Sequence, residues 1–294
     1  MRGIVVVMGV LTTGSAGTPL MGGEVDRALS LSWVKNVLTI HGRHLPGGTV
    51  VVWYIEAFCR PDSSRRAWNE TVIPHTTRIV ESSADGRLIK LQSRLSDGVD
   101  VDHEIRAGRD EVDFRVVATN PTAVESQAHW AQPCIRVEKY AGVKSERASE
   151  AYLPYCFIYV DGKPARMPTK PWALKGMTTP GQVWCPEGVS RDDVNRRPLS
   201  SIVPSNGLIG CVSVDGKELL ATAWEPYQEL FQGVIVCLHS DFRIGGLKPG
   251  ETKTIRGKIY LMPADFNELE ARYRRDFPGQ ERQTTKSGPG RPAK

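Results

Sequence analysis

The feature that most limits what this chain can fold into is a procession of short β-type runs, each preceded by a turn signal. TVVVWYIEAF follows an LPGG turn, RLIKLQSRL follows ADG, VDVDHEIRA follows SDG and EVDFRVVAT follows GRD. Runs of this size, rich in Val, Ile and aromatics and punctuated by Gly and Asp, predict antiparallel meanders. In one of them Val112, Phe114, Val116 and Ala118 alternate with Glu111, Asp113, Arg115 and Thr119, which predicts one buried and one wet face. The pattern returns later in GLIGCVSV, KELLATAWE, GVIVCLHSDF and TKTIRGKIYLM. DFNELEARYRRDF reads as a helix, with Phe266, Leu269, Tyr273 and Phe277 at helical spacing.

A mostly antiparallel chain of 294 residues, 40% hydrophobic, is long enough to pack two large sheets face to face. The expected fold class is all-β: an antiparallel β-supersandwich of two large packed sheets, with one short C-terminal helix. The expected layout is a signal or disordered N-terminus over 1–22, one β-supersandwich domain over 23–278, and a disordered basic tail over 279–294. Near the start, Arg2, the apolar IVVVMGVL and the small residues TTGSAG resemble a minimal secretory signal, too short to span a bilayer. That reading places the protein in the periplasm or outside the cell; a buried first strand is the other reading and leaves the cytoplasm open. Between about 141 and 204 the chain is less regular, and its second part is Pro-rich, with Trp172 and Trp184 in a long stretch of the kind that covers or serves a site.

Charge narrows the partners. The 38 Lys+Arg exceed the 33 Asp+Glu by five, but Arg282, Lys286, Arg291 and Lys294 lie in the tail, so the body is near neutral. Without a basic stripe or interleaved aromatics, no nucleic acid is expected, and without a long apolar segment no membrane is either; the oligomeric state stays open. No phosphate-cradling loop and no GxSxG motif occurs. The six cysteines, Cys59, Cys134, Cys156, Cys185, Cys211 and Cys237, avoid CxxC spacing, and most sit in apolar runs, which predicts buried thiols, with disulfides the alternative. His75, His103, His129 and His239 are scattered without HxH or HExxH spacing, so neither a metal nor a cofactor is expected.

VVATNPTAVESQAHWAQPCI resembles the central segment of the galactose mutarotase-like (aldose epimerase-like) β-supersandwich, in which a strand bearing a tN-x-T turn leads into one that places a histidine in the sugar cleft. GGLKPGETKTIRGKIYLM is similar to the closing strand pair of that superfamily, and its PGE turn is closer to the polysaccharide-lyase and hydrolase-associated relatives than to true mutarotases. Aldose epimerases follow their histidine with an aromatic and Asn-Leu, where this chain has Trp130, Ala131 and Gln132. The resemblance implies a sugar or uronic-acid ligand in a sheet cleft and acid/base chemistry of lyase, epimerase or hydrolase type. His129 would be one proton-transfer group and Glu225 or His239 the other.

Sugars are held by aromatic faces together with carboxylates, amides and guanidinium groups. The candidate binding residues are therefore Trp130, Gln132, Arg136, Trp184, Trp224, Gln228, Arg243, Glu56 and His75. If 112–119 and 128–137 are neighbouring strands, His129 and Trp130 point to opposite faces. Strict alternation places Glu56 with Val52 and Tyr54, and Asp241 and Arg243 read as a paired, rim-exposed turn. A non-catalytic carbohydrate-binding protein and a structural or assembly module are the alternatives, with His129 then a core residue bonded to a backbone carbonyl.

Overall fold

The structure, a computed structural model, describes residues 26–143, 150–167, 181–233 and 235–279. The expected leader over 1–22, Trp172 and the tail beyond Gly279 lie outside the described residues. Among the described residues the strands form two antiparallel sheets. The first has eight strands, in the spatial order β1 (Ser30–Val34), β2 (Val37–His41), β3 (Thr49–Cys59), β9 (Trp130–Arg136), β16 (Cys237–Arg243), β15 (Tyr227–Gln232) and β12 (Gln182–Trp184), with β4 (Val72–Ile73) paired to β3. The second has nine: β11 (Lys163–Arg166), β10 (Cys156–Val160), β13 (Ile209–Val212), β14 (Glu218–Glu225), β17 (Thr252–Pro263), β8 (Glu111–Thr119), β7 (Asp100–Ala107), β6 (Leu88–Leu95) and β5 (His75–Ser82). Of the four runs expected to meander, β6, β7 and β8 pair in turn in the second sheet, with β5 preceding them, while β3 lies in the first.

Alternation decides what the sheets bury between them. Val112, Phe114, Val116 and Ala118 of β8 face the core with Val52, Tyr54, Ala131, Ile135, Leu238 and Phe242 of the first sheet. Trp224 bridges the layers, its ring centroid 5.3 Å from that of Phe114 and 4.7 Å from that of Phe242. The hairpin between β10 and β11 turns on Asp161 and Gly162, both at positive φ (51° and 73°), as the DG signal requires. The C-terminal helix, Phe266–Asp276, is capped by Asp265, whose carboxylate accepts from the backbone N–H of Asn267 at 2.9 Å and Glu268 at 3.1 Å. Its Leu269 and Tyr273, with Phe277 just beyond, close over Phe157, Tyr159, Tyr260 and Met262 on the outer face of the second sheet.

One expectation fails. The strands β8 and β9 are not neighbours: β8 pairs with β7 and β17 in the second sheet, and β9 lies between β3 and β16 in the first. The turn that follows β8 is the reason. The buried Asn120 accepts from the backbone N–H and hydroxyl of Thr122 (3.0 and 2.7 Å) and donates to the carbonyls of Val124 and Leu247 (2.8 and 3.0 Å). This Asx-type turn ends one sheet and sends the chain across to the other. All six cysteines are buried and free.

Candidate functional site

The outer face of the first sheet carries an unusual row of side chains. On β9 alternation turns Trp130, Gln132, Cys134 and Arg136 outward, and on β16 it does the same for Cys237, His239, Asp241 and Arg243. The register pairs Arg136 with Cys237 and Trp130 with Arg243, so Cys134 lies across from His239 and Gln132 across from Asp241. From the other side β15 sets Phe231 opposite His239 and Glu229 opposite Asp241. A register shift between Trp53 and Ala57 breaks the alternation of β3 and delivers Glu56 to this outer face, away from the Val52 and Tyr54 face expected for it. Gln132 Nε2 donates to its Oε2 at 3.2 Å.

The segment 185–200 roofs this face. Its Cys185 and Val194 pack on Val183 and Phe231, and Ser64 anchors it by donating to the carbonyl of Asp192 at 2.7 Å. From the roof, Asn195 donates its backbone N–H to Glu229 Oε2 at 2.8 Å and its amide to Gln132 Oε1 at 3.4 Å, while the Arg197 guanidinium lies 4.4 Å over the Phe231 ring. Asp241 and Glu229 are thereby fully buried and His239 nearly so. Among the described residues Glu229 Oε1, His239 Nδ1 and both Asp241 oxygens have no hydrogen-bond partner within normal distance, the nearest approach between His239 Nδ1 and Asp241 Oδ1 being 3.6 Å. Each such group costs about 1–3 kcal/mol, so stability alone does not account for them. Burial pushes the Asp241 carboxyl up to about 6. Burial works against a charged His239, yet Cys237 and Asp241 beside it hold its pKa up to about 10.

At the edge of the roof lies a second, more open group. The backbone of His129 is clamped: its N–H donates to the Cys59 carbonyl at 2.8 Å and its carbonyl accepts from Ile244 (2.7 Å) and Gly245 (2.8 Å). The imidazole, 24% exposed, donates from Nδ1 to Asp193 Oδ2 at 3.4 Å. The same oxygen accepts from Arg243 Nη1 at 3.1 Å, and Arg243 also donates to Gln228 Oε1 at 2.5 Å. Gln228 in turn donates to the backbone carbonyl of Asp193. Burial works to raise the Asp193 pKa, but the bonds from His129 and Arg243 hold it below the usual carboxylate value. Gly246, at φ 73°, leaves room for the ring; a Cβ there would stand 3.2 Å from His129 Nε2. The expected Asp241–Arg243 pair is replaced: both belong to β16 rather than a turn, and Arg243 is taken by Asp193.

Of the expected residues, the structure thus gathers His129, Gln228 and Arg243 at the edge and Glu56, Gln132 and His239 under the roof. Others fall elsewhere. Trp130 is wholly buried and donates from Nε1 to Ser63 Oγ at 2.9 Å, and Trp184 and Trp224 belong to the inter-sheet core, so none of the three presents a ring to a ligand. The outer face instead exposes Trp53, 39% accessible, with the Arg136 guanidinium 5.8 Å from its ring centroid; Arg136 also pairs with Glu138. Glu225 ends β14 in the other sheet and is paired with Arg256. His75 lies on β5, edge-on to Phe58, its pKa lowered by burial. A groove of about 410 Å³ opens on the outer face of the second sheet, but its main charges already pair with one another, Arg106 with Glu104 at 2.7 Å and Lys258 with Asp276 at 3.1 Å. Sequence reasoning missed Asp193, Asn195, Arg197, Glu229 and Trp53. The signal for Trp53 was its place in the alternation of β3; the roof residues carry none, since the fold alone brings them over the sheet.

No family model and no curated protein matches this sequence. Solved structures do. A candidate aldose 1-epimerase from Escherichia coli K12 aligns at 12% identity over 80% of this chain and 99% of that one, with a TM-score of 0.42. A galactose mutarotase-like protein from Lactobacillus casei aligns at 7% identity over 79% and 99%, with a TM-score of 0.42. A GH36 α-galactosidase from Geobacillus stearothermophilus aligns at 12% identity over 71% of this chain and 31% of that one, with a TM-score of 0.37. Two of these three are described as a candidate aldose 1-epimerase and a galactose mutarotase-like protein.

Proposed function

We propose that the protein is carbohydrate-active and binds a sugar or uronic acid at the edge of the roofed sheet face, with His129 as the proton-transfer group. The observation that carries this reading is the chain from His129 through Asp193 to Arg243. Asp193, ionised and pinned by a guanidinium, accepts from Nδ1 and so leaves Nε2 of a partly exposed imidazole as the atom that exchanges a proton with a ligand. Arg243, whose side chain is partly exposed, supplies donors for hydroxyl or carboxylate groups while the buried Gln228 holds it in place, and Trp53 exposes an aromatic face further along the same sheet. The reaction is of lyase, epimerase or hydrolase type. Non-catalytic sugar binding is the second reading, and one observation favours it: of the two groups expected as the second proton-transfer partner, Glu225 is held by Arg256 in the other sheet and His239 is buried under the roof. Calorimetric titration of the full chain with a panel of aldoses, uronic acids and oligosaccharides tests the proposal. At least one class should bind, and Arg243→Ala should weaken it; a panel that gives no binding contradicts both readings.

A further inference from the structure

Under the roof, two thiols and an imidazole converge. Cys237 and His239 are two residues apart on β16, and Cys134 stands across from His239 on β9. Their ligand atoms lie within 4.8 Å of one another, all three residues are buried, and Cys237 Sγ is 3.2 Å from His239 Nε2. Zinc bonds of about 2.3 Å to sulfur and about 2.0 Å to nitrogen, at the tetrahedral angle, set ligand atoms roughly 3.5–3.8 Å apart, so small side-chain rotations are enough. A second observation comes from the far side of the ring. His239 Nδ1 faces Asp241 Oδ1 at 3.6 Å, and among the described residues neither that nitrogen nor either oxygen of the fully buried Asp241 has a hydrogen-bond partner. A metal on Nε2 would fix Nδ1 as an N–H donor aimed at that carboxylate, the arrangement that orients metal-bound imidazoles. Two thiolates select a soft or borderline cation over magnesium or calcium.

We propose that Cys134, Cys237 and His239 bind one thiophilic divalent cation of the zinc class, that Asp241 positions the imidazole, and that the fourth position is left to water or a ligand atom. The site uses residues separate from the His129 group and stands whether or not a sugar binds.

The test is a cobalt titration of the full chain, freed of metal under reducing conditions. Saturation at one equivalent is expected, with thiolate-to-cobalt charge-transfer absorption in the near ultraviolet, visible bands of tetrahedral intensity, displacement by zinc, and a melting temperature that rises with zinc concentration. Cys237→Ser should remove most of the charge-transfer band. Cys211→Ser, in the other sheet, should keep it. Asp241→Asn should retain the band but weaken cobalt binding by about 10–100-fold, as expected of a positioning residue. If a variant fails to fold, the wild-type titration decides alone. No band and no zinc-dependent rise in melting temperature would overturn the proposal. So would a band unchanged in Cys237→Ser, or a protein in which Cys134 and Cys237 are always joined as a disulfide.

Discussion

Two histidines of this protein are almost equally buried and behave in opposite ways. His103, on β7 between the sheets, has a hydroxyl at each ring nitrogen, Tyr54 at 3.0 Å and Ser93 at 3.1 Å, and burial drives its pKa down to about 3. His239, under the roof of the first sheet, meets the Cys237 sulfur at one nitrogen and, at 3.6 Å from the other, an Asp241 carboxylate without a hydrogen bond among the described residues. One environment closes the ring's hydrogen bonding with two neutral hydroxyls, and nearby His75 further opposes a charge on the ring. The other contains groups whose charge changes with the ring's own, and it leaves that bonding open. Depth of burial therefore does not separate a packing histidine from a functional one; the completeness and charge of its partners do.

Four experiments can break or sharpen that contrast. The largest effect is expected for His103→Ala, which opens a cavity between the sheets and strands two hydroxyls; a loss of about 2–4 kcal/mol in denaturant unfolding should follow, with ligand and cobalt binding intact. Next comes pH. The folded His103 has a pKa of about 3, below the ordinary 6.5, so the unfolded chain binds its proton first as pH falls. Stability should be undiminished by this group above about pH 6.5 and then fall by up to about 1.4 kcal/mol per pH unit towards pH 3. Unfolding curves for the wild type and His103→Gln across that window should show the variant with the shallower decline. A smaller change is expected for Asp241→Asn: it removes a carboxylate that helps hold His239 charged, but the imidazole keeps Cys237 beside it and can release its proton, so stability should stay within about 1 kcal/mol. Should Asp241→Asn instead cost as much as His103→Ala, the distinction between the two environments is lost. The smallest effect belongs to Glu225→Gln, which breaks a surface pair with Arg256 worth under about 1 kcal/mol and should leave ligand affinity untouched.

Much of this architecture was legible in the sequence because it rests on local rules. The turn signals and the alternation of β8 predicted the meander, and Leu269, Tyr273 and Phe277 predicted which helix face is buried. Tertiary events were not legible. Nothing local says that Asn120 sends the chain to the other sheet, or that a register shift in β3 moves Glu56 to the outer face. The site was harder still. The alternation in CLHSDFR is plain, but a polar strand face reads as a wet one until a distant segment covers it. The tryptophans misled for the same reason: a large ring near a polar group suggests a platform, and Trp130, Trp184 and Trp224 are all consumed by packing.

The claim at the centre of this account is that the edge of the roofed face, at His129, serves a ligand and not the core. Melting temperature and ligand affinity or turnover, measured side by side on His129→Ala, test it most directly. A partly exposed side chain contributes little packing, so the account predicts a melting temperature within a few degrees of wild type while turnover falls by roughly 10²–10⁴-fold, the usual worth of a general acid or base. A stability loss of about 1–3 kcal/mol with binding and turnover unchanged would contradict it, and His129 would then be a structural residue holding Asp193 in place.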